Sequence, residues 1–133
     1  MIESILRYAT ELLLLLFVII TFLQSGIDKL VDWGGNLGWL KGHFAKSPLK
    51  GVVPLLLVIV LIMELAAAIL CAIGFFQIII GSGTTLAFYG AILSCISLLM
   101  LLFGQRMAKD YAGAMTIAVY FVPAIFLVFL LQA

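Results

Sequence analysis

The chain has 133 residues, 66% hydrophobic and 10% charged, with a net charge of +1, whereas a soluble domain carries about 25% charged residues. A water-soluble fold is excluded, because a small domain leaves a large share of its surface in water, and the lipid bilayer becomes the partner of most of the chain. With a near-neutral balance and no basic arm or aromatic-basic stripe, a nucleic-acid partner is excluded too.

A spanning helix needs about 20 mostly apolar residues, and the stretches 8–29, 53–74, 78–103 and 113–132 each meet that requirement. Lipid offers no hydrogen bonds to the backbone, so the spans must be helical, and short connections make neighbours antiparallel. The expected fold is all-α: one domain over 1–133, an integral membrane four-helix up-down bundle with an interfacial segment between the first two spans. A cleaved leader is not expected, since Glu3 and Glu11 flank Arg7 and no small-x-small site follows.

The first span closes with "FLQSGIDKL". Gln24 and Asp28 are four apart and share a face, Gly26 permits close backbone approach, and Lys29 is expected near the membrane surface. The connection that follows, at about 30–52, carries Trp33, Trp39 and Phe44 among Lys41, Lys46 and Lys50. Trp and Lys both favour the headgroup level. The segment is expected to lie on the surface, helical over 36–45 and ended by Pro48, as an interfacial anchor or a lid over an entrance. His43, the one histidine, is expected to be exposed and to ligate nothing.

Within the second span, "VLIMELAAAILC" places Glu64 among apolar and small residues. Ionisable groups in a membrane are costly and face the bundle interior. Desolvation disfavours the charged form, so Glu64 is expected to be a neutral acid donating a hydrogen bond. With a turn at Gly74–Gln77, the third span brings Tyr89 and Thr85 to its depth, and Tyr89 is the expected partner. Lys29 is expected more than about 10 Å away by helical rise. Glu64 then reads either as a proton site or as polar glue between helices, the latter worth about 0.6–2 kcal/mol.

The third span sets Gly83, Ala87, Gly90, Ser94 and Ser97 along one face, answered by Glu64, Ala68 and Ala72 on the second; small-residue faces of this kind let membrane helices approach closely. Cys71 and Cys95 are expected at heights about 20 Å apart, as buried structural cysteines without a disulfide. "GQRMAKDYAGA" then supplies Gln105, Arg106, Lys109, Asp110 and Tyr111 on the side where Lys29 lies. An Asp28–Arg106 or a Lys29–Asp110 pair is the expected clasp there, or an anion site. Pro123 should kink the fourth span. Lysines and arginines concentrate on the side of Lys29, Lys41, Lys46, Lys50, Arg106 and Lys109, with Arg7 opposite, so by the positive-inside rule both termini lie outside. One histidine and two cysteines allow no histidine metal cluster and no haem pair, and no metal is expected.

The four spans, "FLQSGIDKL", the mid-span Glu64 and "GQRMAKDYAGA" together make nearly the whole chain resemble the DoxX family, in the form seen in bacteria of the Bacteroidota group. The resemblance implies a multi-pass inner-membrane protein, with Gly26, Lys29, Glu64, Arg106, Asp110 and Tyr111 at the family's recurring positions. Some members are the membrane subunit of a thiosulfate:quinone oxidoreductase, and others associate with thiol or superoxide defence proteins. It therefore implies an accessory subunit of a quinone-linked redox or respiratory assembly. No intrinsic cofactor is implied, a quinone is the candidate ligand, and other membrane subunits or further copies of the chain are the candidate partners. The rival expectation is a non-catalytic structural or assembly subunit. A small transporter or lipid-handling protein is disfavoured, since no inverted repeat or unwound half-helix is evident.

Overall fold

A computed structural model describes residues 1–132. Its elements are α1 (Ile2–Arg7), α2 (Ala9–Val31), α3 (Trp33–His43), a 3₁₀ turn at Lys50–Val52, α4 (Val53–Ile79), α5 (Thr85–Met107) and α6 (Tyr111–Gln132). Four helices, α2, α4, α5 and α6, are long and apolar enough to cross a membrane, which makes the chain the multi-pass helical bundle expected. α4 lies between α2 and α5, α5 packs on α6, and α6 returns to α2 to close the ring. The core threads this ring through Leu15 and Val18 of α2, Cys71 and Ile78 of α4, Ala87 and Ala91 of α5, and Ala124 and Leu127 of α6. Large apolar side chains such as Leu13, Ile62, Phe76 and Phe129 point outward, which costs nothing in lipid.

The second connection is not where the glycine of "AIGFFQ" suggests. α4 runs on to Ile79, and the chain reverses at 80–84, where Gly81 and Gly83 adopt φ of 80° and 110°. Gly74 is instead a packing residue: a Cβ there would collide with the backbone of Ala87. Gly83 drops out of the small-residue face, but Ala87, Gly90, Ser94 and Ser97 are buried as expected, opposite buried Ala68 and Cys71. A Cβ on Gly90 would sit 2.7 Å from Cys71 Sγ and 2.8 Å from its backbone nitrogen. Both cysteines are free and buried. Because Cys71 lies against Gly90, Cys95 is only about 8 Å further along by helical rise, not about 20 Å.

The interfacial segment is helical from Trp33 to His43, starting earlier than expected because Asp32 caps it, accepting from Gly35 N–H at 3.2 Å. It stops at His43, before Pro48 is reached. α6 continues through Pro123.

Candidate functional site

Glu64, 1% exposed, faces the interior as the sequence requires, yet its partner is neither Tyr89 nor Thr85. Both of those are exposed, Tyr89 at 54%. The partner is Lys29, whose Nζ lies 3.2 Å from Glu64 Oε1 and 3.3 Å from Oε2. The same Nζ donates to Ser25 Oγ at 2.6 Å and approaches the Ser25 carbonyl at 3.5 Å. The expected neutral acid is thus replaced by an ion pair, with a hydroxyl sharing the ammonium. Among the described residues no buried side-chain nitrogen or oxygen lacks a partner.

Two register errors explain the mistaken partner. The α4–α5 turn lies at 80–84, not Gly74–Gln77, and with Gly74 against Ala87 and Cys71 against Gly90 the residue of α5 at the depth of Glu64 is Ser97. Lys29, for its part, lies deeper than expected because α2 ends while α4 continues past it. Gly26 sets that register. A Cβ there would come within 2.6 Å of Leu65 Cδ2, so the missing side chain lets α2 press onto α4 next to Glu64. Beyond the end of α2, its place along α4 is taken by α3.

Lys29 also lines a cavity of about 580 Å³. Trp39, Leu40 and Asn36 of α3 form one wall, Leu56, Leu57 and Val60 of α4 a second, and Ile96, Met100, Phe103 and Gln105 of α5 a third, with Phe44 and Leu49 between. The volume falls in the range of small-molecule sites, and so does the chemistry, a mostly apolar lining with few polar groups. An ammonium has three N–H donors. Ser25 and Glu64 already place four oxygens within 3.5 Å of Nζ, so a group in the cavity would share the ammonium with them.

The second cluster forms at the same end of the bundle, but not in the expected pairs. Asp28 and Gln24 are exposed, Lys29 is committed to Glu64, and Arg106 lies over the Tyr111 ring at 5.0 Å. Lys109 occupies the turn with φ of 60°. Asp110 caps α6, accepting from Gly113 N–H at 2.9 Å, and its other oxygen lies 3.4 Å from His43 Nε2. His43 Nε2 also lies 2.9 Å from Gln105 Oε1, so this histidine is a tie between α3 and α5, not an idle surface residue. Sequence reading missed it. The available signal was that "DWGG" and "DYAG" each set an Asp cap before an aromatic and a glycine, which locates both helix starts, though not the contact of His43 with Asp110.

Among the described residues no group of three His, Cys, Asp or Glu side chains is placed to hold a metal ion. No family model, no curated protein and no solved structure matches the chain.

Proposed function

We propose that this chain is a DoxX-like accessory subunit of a quinone-linked redox assembly in the bacterial inner membrane, and that the quinone head sits in the cavity beside Lys29. The observation that carries the reading is a buried carboxylate paired with a part-buried ammonium at the edge of an apolar cavity between α3, α4 and α5. A quinone supplies two-electron, two-proton chemistry. What this chain supplies is position: the Lys29 ammonium, held by Ser25 and Glu64, shares an N–H with a carbonyl oxygen of the ligand, and Leu57 and Val60 line the apolar wall beside it.

Electrons reach the site from a partner subunit in this reading, and other membrane subunits or further copies of the chain complete the assembly. The concentration of Lys41, Lys46, Lys50, Arg106 and Lys109 at α3 and the α5–α6 turn supports a cytoplasmic side there and termini outside, by the positive-inside rule.

A direct test is available because Trp39 lines the cavity. In a Trp33→Phe background in nanodiscs, a short-chain quinone should quench Trp39 fluorescence saturably. Val60→Phe, which fills the cavity and keeps Lys29 and Glu64, should weaken that binding by about ten-fold, or about 1.4 kcal/mol. Unsaturable quenching, or unchanged affinity in Val60→Phe, would count against the proposal.

A further inference from the structure

The two boundaries of the cavity beside Lys29 differ in kind. At the end that carries α3 and the α5–α6 turn, side chains meet across the space. The Phe44 ring lies over Gly104, where a Cβ would rest 3.6 Å from Phe44 Cζ. His43 Nε2 lies 2.9 Å from Gln105 Oε1, and the imidazole is held between Trp39, stacked at 4.6 Å between centroids, and Phe44, edge-on at 5.1 Å. These contacts join the end of α3 to α5. Beside them Ser47, Val53 and Leu57 are buried.

The side wall is open. Four lining residues are exposed: Trp39 of α3 at 63%, and Ile96, Leu99 and Phe103 of α5 at 43%, 49% and 59%. A residue that both lines a cavity and is exposed stands at its mouth. All four are large and apolar, whereas the polar lining groups, Lys29, Asn36 and Gln105, are only partly exposed. Ile96, Leu99 and Phe103 follow an i, i+3, i+7 pattern, one stripe of a helix over about 10 Å. α5 is long and apolar enough to cross the membrane. The mouth is therefore a slot along a span, with Trp39 at its rim, and it opens into lipid.

We infer, resting on the quinone site proposed above, that the ligand enters sideways from the bilayer and is a tailed quinone, its head at Lys29 and its single hydrocarbon chain leaving between Ile96, Leu99 and Phe103. A polar compound from water would have to cross an all-apolar rim without replacing its hydration. A chain crossing the same rim exchanges lipid for side chains that are equally apolar. The tail accordingly adds little affinity within the membrane, and what it requires is an unobstructed slot.

Two measurements in phosphatidylcholine nanodiscs test the slot. In the Trp33→Phe background, benzoquinones with one head and either a methyl or a decyl substituent are titrated against Trp39 fluorescence, with concentrations referred to the lipid. Their affinities should agree within about three-fold. Ile96→Phe with Leu99→Phe should weaken the decyl quinone by about ten-fold, the scale of overpacking, and the methyl quinone by less than about two-fold. Leu13→Phe, on the lipid-facing side of α2, should change neither. Equal losses for the two quinones in the double variant, or none, overturn the slot as the path of the tail. Without quinone, a phospholipid carrying a diazirine on its acyl chain should label Val60 and Met100, which line the cavity behind the mouth, and the double variant should lose that labelling. Labelling confined to exposed residues overturns the slot whatever the quinones do. If neither quinone binds, the ligand reading falls, and the acyl-chain labelling still decides whether the cavity opens to lipid.

Discussion

The two ends of the α4–α5 pair are built to opposite plans. Toward the turn at 80–84, Gly74 meets the backbone of Ala87 and Gly90 meets that of Cys71, so two helices touch main chain to main chain. Toward the other end, Leu56 and Val60 face Ile96, Met100 and Phe103 across about 580 Å³ of open space. Both ends are apolar, so hydrophobicity does not distinguish them. Side-chain size does: small residues let the helices close, and branched and aromatic ones hold them apart without filling the gap. The Lys29–Glu64 pair stands at the changeover, where α2 is pressed close by Gly26 and delivers a countercharge.

Breaking the changeover should have the largest effect. Lys29→Met leaves the Glu64 carboxylate buried without its cation, a loss of about 3–5 kcal/mol for a buried pair. Replacing both partners, Lys29→Met with Glu64→Leu, should restore most of it, because an apolar pair has no desolvation penalty. Chemical unfolding in mixed micelles measures both. A single-variant loss below about 1 kcal/mol would mean that Glu64 behaves as the neutral glue residue of an ordinary membrane helix contact.

Breaking the tight end comes next. In Gly90→Ala the new methyl has no room against Cys71 Sγ and backbone nitrogen, at 2.7 and 2.8 Å, and the helices must part. Overpacking of this kind costs about 1–3 kcal/mol. The same unfolding measurement reads it, and the loss should be largely relieved by Cys71→Ala only if the sulfur, and not the backbone, is the obstacle.

How legible this comparison is in the sequence depends on what each residue type encodes. The number of spans and the inward face of Glu64 follow from hydropathy and from the cost of a charge in lipid, and both are recovered. The small-residue face of α5 follows from spacing alone, and Ala87, Gly90, Ser94 and Ser97 are indeed buried. The glycines mislead because one residue type serves two purposes. Gly74 looks like a turn and is a contact, while Gly83 looks like a contact and is a turn. In an antiparallel pair a misplaced turn is doubled along the facing helix, which is why Tyr89 stood in for the true neighbours of Glu64. The cavity is illegible for a different reason: nothing local in "PLLLVIV" or "ISLLMLLFG" says whether large side chains interlock or leave a void.

The smallest effect should be the most discriminating. Gly104 lies on α5, like Gly90, but at the open end, where a Cβ would rest 3.6 Å from Phe44 Cζ. That is ordinary van der Waals distance, with no backbone in the way. Gly104→Ala should therefore gain the helix propensity that glycine forgoes, about 0.5–1 kcal/mol, and add a contact to the segment that follows α3. The same substitution on the same helix thus changes sign between its two ends. If Gly104→Ala destabilised the bundle as Gly90→Ala does, the open end would be as tightly packed as the other, and the space assigned to a ligand would not exist.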